Sequence, residues 1–238
     1  MWTIQELKQC GKRAFKANYW RSVLTAFLLA ILAGDGVFSG SSISAGKDMI
    51  EEGQSFWQSV QNYFEENPAS MIVMILTVVL GLTAAVLLKL FLLNPLEVGC
   101  NRFFKKNIEA APAQFSAIGE GFGDYGHVFG TLFLRDLFIW LWSLLLVIPG
   151  IIQAYAYRMV PYILKDEPEL SPKEVLKRSK EMMKGSKWHT FLLDLSFLGW
   201  YLLGLLTMGV LNFFWTEPYK QSTNAALYVE LRDRNARF

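Results

Sequence analysis

The sequence predicts an all-α membrane protein, a polytopic bundle of about six transmembrane helices in three hairpins with added amphipathic interfacial helices. Hydrophobic residues make up 53% of the 238 residues, more than is usual for a soluble domain. Residues 71–93, 128–148 and 190–215 form apolar runs, each long enough for the ~20 residues that cross a bilayer as a helix. A soluble bundle is disfavoured because a chain of this length cannot bury several such runs.

Three weaker segments, residues 19–38, 150–164 and 209–231, complete the six predicted spans. The last contains Lys220 and several polar residues, so an amphipathic helix at the cytoplasmic interface is its alternative. Tight turns are expected at residues 149–150 and 208–209.

Proline interrupts each returning helix, at Pro95, Pro161 and Pro218. Each proline leaves a backbone carbonyl that needs another hydrogen-bond donor. A simple kink and a gating hinge are the alternatives for these positions.

The basic residues predict the orientation. Residues 1–21, 102–107, 165–187 and 232–237 together hold 18 of the 23 lysines and arginines. Residues 34–69 hold one basic residue and six acidic ones. Because basic loops stay in the cytoplasm, we expect a single domain, 1–238, in the cytoplasmic membrane with both termini inside and 34–69 outside. The formal charge of +2 reflects these loops and does not indicate nucleic-acid binding.

Two amphipathic helices are expected on the cytoplasmic side, within residues 1–18 and the loop 165–187. Thr3 and Glu6 have the capping-box spacing, and Ser171-Pro172 is a strong helix start. We expect both helices on the inner membrane surface, as general anchors or as specific sites for anionic lipid. The predicted lipid-surface residues are Lys8, Lys12, Arg13, Lys16, Lys173, Lys177, Arg178 and Lys180.

A third amphipathic helix is predicted at residues 49–64 of the outer loop 34–69. Its apolar residues recur at helical spacing. It either packs on the outer ends of the bundle or docks a protein partner.

Charged residues inside the apolar segments form the candidate site. A charge in hydrocarbon costs about 3 kcal/mol on insertion scales, so such residues usually pair or line a polar path. They are Lys89, Glu97, Arg135, Asp136, Arg158, Asp194, Glu217 and Lys220. Counting residues from the span ends places most of them in one layer in the inner half of the bilayer. Matched depth suggests the pairs Asp136–Arg158 and Lys89–Asp194. Such a layer either fixes helix register or forms a cytoplasm-facing polar cavity.

No motif predicts catalysis, a metal site or a cofactor. The glycine-rich segment 119–126 lacks the strand and lysine of a phosphate loop. His127 and His189 have no Cys/His spacing that would supply a third ligand. Cys10 and Cys100 both fall on the predicted cytoplasmic side, where we expect reduced thiols.

Several motifs match a known family, and they include residues 94–99, 148–151, 158–163 and 195–200. The others are residues 102–104, 182–185, 217–219 and 223–228. As a set they resemble an uncharacterised bacterial integral-membrane family, domain of unknown function 975, which is distantly similar to Yip1-type membrane proteins. This resemblance implies an all-helical fold of about six spans and no established catalytic residues.

These observations favour a non-catalytic accessory or scaffold in envelope or lipid physiology. Membrane lipids and an unidentified protein are the expected partners. One alternative is a small transporter or lipid-handling protein that uses the buried charges as a binding site, and another is a membrane enzyme acting at the inner interface.

Overall fold

The chain folds into helices, as the sequence predicts. The computed structural model describes residues 2–33 and 68–235, and no strand occurs in them. The helices are α1 (Ile4–Ala17), α2 (Tyr19–Ala33), α3 (Pro68–Leu88), α4 (Asn94–Glu109), α5 (Ser116–Gly119), α6 (Tyr125–Leu145), α7 (Val147–Ala156), α8 (Val160–Asp166), α9 (Pro172–Met182), α10 (Lys187–Leu195), α11 (Leu198–Leu206) and α12 (Glu217–Asn235). Two π turns, Lys89–Leu93 and Asn212–Thr216, lead into α4 and α12. The predicted helix at 49–64 lies outside the described residues.

Helix α1 begins where the sequence predicts, but its apolar face packs on protein. Thr3 and Glu6 form both hydrogen bonds of a capping box. Leu7 and Phe15 are buried, and a Cβ atom on Gly11 would lie 2.6 Å from Thr223 Oγ1 of α12. Helix α12 therefore covers this apolar face, and the location of residues 1–18 on the inner membrane surface stays a prediction.

Helix α9 also begins at a capping box and packs its apolar face on the protein. Ser171 and Glu174 form a capping box at its start, and Gly185, with φ of 76°, lies in the turn that follows it. Val175 and Met182 on its apolar face are buried, and buried Ser179 donates a hydrogen bond to the Ala156 carbonyl at 2.8 Å. The helix in the loop 165–187 thus also uses its apolar face for packing on the protein.

The buried core lies at one end of the long helices. Its largest fully buried side chains include Phe103 of α4, Leu132 of α6, Ile163 of α8 and Tyr228 of α12. Exposed apolar residues are concentrated elsewhere, in residues 71–92, 133–152 and 195–214. Within the described residues, the segments Met71–Glu109, Tyr125–Leu145 and Lys187–Leu206 are long and apolar enough to cross a membrane.

Two apolar hairpins leave this core. These are the second and third of the three hairpins predicted from the sequence. The second hairpin, α6 and α7, turns at Leu146, where the backbone is extended. Pro149 lies inside α7, so the turn comes three residues before the expected one. The third hairpin, α10, α11 and the returning π turn, reverses at Met208 and Gly209, which have φ of 51° and 86°. The sequence predicts a tight turn at these two residues.

Tyrosines supply the donors that two of the prolines remove. Pro95 has no N–H for the carbonyl of Phe91 four residues earlier, and Tyr125 Oη donates to that oxygen at 2.7 Å. Pro218 likewise frees the Phe214 carbonyl, which accepts a 3.2 Å hydrogen bond from Tyr19 Oη. At each of these two prolines a tyrosine from another helix thus supplies a donor to the carbonyl four residues earlier.

The glycine-rich segment 119–126 serves packing. It comprises the last residue of α5, the 3-10 turn Glu120–Phe122 and the start of α6. A Cβ atom on Gly121 would overlap the Pro95 carbonyl oxygen and lie 2.5 Å from the Gly99 nitrogen. Glycine at position 121 therefore lets this segment approach the backbone of α4.

Replacing Gly121 with alanine is expected to lower the free energy of unfolding by about 1–3 kcal/mol, because the added methyl group forces two backbones apart. Gly119→Ala is the matched control, since a Cβ atom there meets nothing within 4 Å. Unfolding of the purified protein in detergent measures both. Equal stability of the two variants would contradict the close contact.

Candidate functional site

Arg135 of α6 joins two carboxylates at the base of the second hairpin. Its Nη1 and Nη2 donate to Glu97 Oε1 and Oε2 of α4 at 2.8 and 3.1 Å. Its Nε donates to Asp136 Oδ1 at 2.8 Å. The two parallel hydrogen bonds to Glu97 have the bidentate geometry that makes guanidinium–carboxylate pairs strong. They fix the separation of α4 and α6.

Arg158 makes a second such pair, in the short interruption between α7 and α8. Its Nη1 and Nη2 donate to Asp194 of α10 at 2.6 and 2.9 Å, and Nη2 also donates to Asn224 Oδ1 of α12 at 2.9 Å. Tyr155 Oη donates to the same carboxylate at 2.8 Å. Four helical segments therefore meet at this pair.

The structure brings six of the eight predicted charged residues into ion pairs, but the pairings differ from those suggested by depth alone, and a common depth in the bilayer stays a prediction. Lys89 lies 3.7 Å from Asp136 Oδ2, and Asp194 pairs with Arg158. The suggested pairs Asp136–Arg158 and Lys89–Asp194 do not form. Depth fixes how far along a helix a charge lies, whereas pairing depends on the face it occupies. We call Lys89, Glu97, Arg135, Asp136, Arg158 and Asp194 the charge layer.

Glu217 and Lys220 form a separate group. Tyr201 Oη of α11 donates to Glu217 Oε1 at 2.6 Å, and Lys220 Nζ donates to Tyr201 Oη at 3.1 Å. The tyrosine hydroxyl thus connects these two predicted residues.

A cavity of about 400 Å³ lies beside the charge layer. Three side-chain atoms of its lining residues are buried without a hydrogen-bond partner in the described residues: Asn94 Nδ2, Asp136 Oδ2 and Tyr162 Oη. The lining also includes Lys89, Glu97, Arg135, Arg158, Asn101, Tyr157, Gln221 and Asn224. Buried polar groups normally have partners, so this cavity suits a polar occupant.

The predicted lipid-surface residues fall into two sets. Lys8 is part-buried and donates to Ser196, and Arg178 lies 3.3 Å from Glu167. The exposed lysines Lys173, Lys177 and Lys180 line a groove of about 450 Å³ against the aromatic side chains of α6. Lys12, Arg13 and Lys16 are exposed on α1.

Sequence reasoning missed a cluster centred on Asp166, at the end of α8. Lys105 Nζ and Arg102 Nη1 of α4 donate to its Oδ1 at 2.5 and 2.6 Å, and Tyr228 Oη donates to its Oδ2 at 2.7 Å. Burial raises the pKa of Asp166, but the hydrogen bonds from Lys105 and Tyr228 and the two positive charges more than offset it, so its net pKa is lowered. Matched depth was the available signal, because Arg102, Lys105 and Asp166 all follow the cytoplasmic ends of predicted spans.

The histidines have structural contacts. His127 Nε2 lies 2.7 Å from the Leu170 carbonyl oxygen, and His189 packs edge-on against Trp2. Among the described residues there is no group of three His, Cys, Asp or Glu side chains arranged to hold a metal ion. Cys10 and Cys100 are both free thiols.

Residues 124–235 match the model of a protein family of unknown function, DUF975. The match covers α6 to α12 and therefore includes Arg135, Asp136, Arg158 and Asp194. It does not extend to the motifs at residues 94–99 and 102–104 that contributed to the resemblance. No curated protein and no solved structure matches the chain. The similarity to Yip1-type proteins stays a prediction.

The Asp166 cluster predicts a pH-dependent stability. Because its pKa is lower in the folded than in the unfolded chain, the stability it contributes is complete above the ordinary pKa of 3.8 and is lost as the pH falls through the folded-state pKa. We expect Asp166→Asn to unfold more easily at neutral pH, and its difference from wild type to shrink below pH 3.8.

Thermal unfolding in detergent, followed by circular dichroism from neutral pH to below pH 3.8, tests the prediction. Asp233→Asn is the control, because Asp233 pairs with Arg232, which lies 3.6 Å from Asp166 Oδ2 as well, but the Asp233 side chain is more exposed than that of Asp166. A constant difference between D166N and wild type at every pH would contradict it.

Proposed function

We propose that this chain is an integral protein of the cytoplasmic membrane that crosses the bilayer more than once, with both termini in the cytoplasm. Exposed apolar residues form long continuous stretches on α3 and on the second and third hairpins. Water-soluble monomers rarely expose apolar patches of this extent. The distribution of basic residues supports the orientation.

Its proposed role is that of a non-catalytic accessory or scaffold in envelope or lipid physiology, with membrane lipids and another protein as partners. One observation carries this proposal. Arg135 and Arg158 each bind a carboxylate on another helix through two hydrogen bonds. Because these charged groups are paired with each other, they hold the helices together in one arrangement, as a scaffold protein requires.

A double-mutant cycle on Arg158 and Asp194 tests the structural role. Asp194→Leu alone is expected to cost about 3–5 kcal/mol, because it leaves the guanidinium of Arg158 without its carboxylate. Combining it with Arg158→Met is expected to recover much of that loss, since both charges are then removed. Unfolding in detergent measures the coupling.

The exposed pair Lys177–Glu181, 4.0 Å apart, is the matched control. Its coupling is expected to be below about 1 kcal/mol. A similarly small coupling for Arg158 and Asp194 would contradict the structural role.

The second candidate function is that of a small transporter or lipid-handling protein. The cavity favours it, because Asn94 Nδ2, Asp136 Oδ2 and Tyr162 Oη are buried without a hydrogen-bond partner in the described part of the chain, although Lys89 Nζ forms an ion pair with Asp136 Oδ2 at 3.7 Å. Asn94 and Tyr162 are only 2% and 3% exposed. Together they offer an amide donor, a carboxylate acceptor and a hydroxyl, which suits a small polar ligand.

Tyr162→Phe separates the two candidates. Its hydroxyl has no hydrogen-bond partner in the described residues, so we expect the variant to keep wild-type stability. We expect its affinity for a polar ligand to fall about tenfold, equivalent to about 1.4 kcal/mol of binding free energy. Native mass spectrometry of the purified protein measures retention. Tyr228→Phe is the control, because it loses the bond to Asp166 and is expected to lose stability while keeping the ligand.

If Tyr162→Phe retains the same small molecules as wild type, the cavity is not their binding site. A protein that co-purifies with wild type and with both variants favours the scaffold role.

A further inference from the structure

The depth to which the hairpins enter the membrane follows from the charge layer, given the proposed membrane location. Lys89 of the π turn after α3 and Asp136 of α6 lie 3.7 Å apart, so these residues stand at one level. Tyr125 at the start of α6 contacts Phe91, beyond Lys89 along the chain. Residues 137–145 of α6 and 71–88 of α3 lead away from this level along the chain and carry no charged side chain.

Lysines from outside the apolar segments reach the same level. Lys180 of α9 lies over the ring of Tyr157, next to Arg158, at 5.1 Å. Lys8 of α1 donates to Ser196, two residues after Asp194, at 3.1 Å. Lys180 is exposed, and an exposed ammonium group is stable at the polar surface of a bilayer and costly inside it. The charge layer therefore lies near the cytoplasmic headgroups.

From this level the hairpins are too short to cross. Asp136 is ten residues from the turn at Leu146, a rise of about 15 Å. Asp194 is fourteen residues from Met208, at most about 21 Å. The hydrocarbon core is about 30 Å thick. Helix α3, by contrast, has 21 residues beyond Lys89, or about 30 Å, which is enough to cross.

The ends of both hairpins have the composition of buried membrane segments. Residues 137–157 and 195–216 contain no charged side chain. Ile148, Leu206 and Met208 at the turns are 72%, 82% and 85% exposed on the protein. If these turns reached the outer surface, their apolar side chains would meet water.

The turn of the third hairpin also satisfies its own backbone, as lipid requires. Gly209 N donates to the Gly204 carbonyl at 2.9 Å, and Met208 N donates to that of Leu205 at 3.2 Å. Thr207 Oγ1 donates to the Gly204 carbonyl at 3.0 Å and accepts from Leu211 N at 3.1 Å.

We propose that the second and third hairpins enter the membrane from the cytoplasmic side and end among the acyl chains, near the bilayer midplane, without crossing. Their turns are lipid-binding surfaces, and the lysines of α1 and α9 hold them at a fixed depth by binding the headgroup phosphates. The termini stay cytoplasmic under this arrangement, which replaces four of the six spans predicted from the sequence.

Single-cysteine labelling tests the proposal in the full chain, after Cys10 and Cys100 are replaced by alanine. Ile148→Cys and Leu206→Cys report the two turns. Ser55→Cys in the predicted outer loop and Lys184→Cys are the outside and cytoplasmic controls. With a membrane-impermeant maleimide on intact cells, we expect labelling of residue 55 and at least tenfold slower labelling of both turns. In inverted vesicles we expect rapid labelling of residue 184 alone.

A depth measurement completes the test. A bimane fluorophore is attached at position 148 or 206 through the cysteine of the I148C or L206C variant, in vesicles. We expect a nitroxide deep in the acyl chain to quench it more than one near the headgroup. Labelling of either turn at the rate of residue 55 on intact cells, or at the rate of residue 184 in inverted vesicles, would overturn the half-inserted arrangement while the protein remains membrane-bound. Release of the protein by alkaline carbonate would instead overturn the proposed membrane location.

Discussion

The bidentate pair between Arg158 and Asp194 is the interaction on which the rest of the structure depends. It lies where the buried core ends and the apolar hairpins begin, and it brings α10 to the interruption between α7 and α8. Asn224 adds α12 to the same guanidinium. Because the donors of a guanidinium are fixed in a plane, their simultaneous use sets the helix separations. Arg135 does the same for α4 and α6.

The buried core, on the other side of the charge layer, is held together by a second group of hydrogen bonds and ion pairs. Asp166 draws Lys105, Arg102 and Tyr228 together. The tyrosines Tyr19 and Tyr125 close the carbonyls freed by proline. Each contact joins segments far apart in the chain, so the helices pack in one arrangement although several are short. The apolar hairpins then extend from a base that is already fixed.

The helical class, the helix starts at Thr3 and Ser171 and the existence of the charge layer were predictable from the sequence, because local spacing and composition decide them. The partners of Arg158 and Lys89 were not, since pairing depends on which helix face each side chain occupies. The protein contacts of the apolar faces of α1 and α9 were not predictable, because amphipathicity shows that a face is buried but not what covers it. Asp166 was missed because it follows its span and resembles a solvated loop residue.

The proposed depth of the hairpins also resolves why the sequence tolerates so many charges in apolar segments. A charge at the bilayer centre is costly, and the cost falls toward the interface where side chains reach headgroups and water. If the hairpins crossed fully, Arg135, Asp136, Arg158 and Asp194 would all lie well inside hydrocarbon. With half-inserted hairpins they lie near the headgroups. Lys89, whose side chain is 58% exposed, then meets the polar surface, and the buried guanidinium groups need only their carboxylate partners.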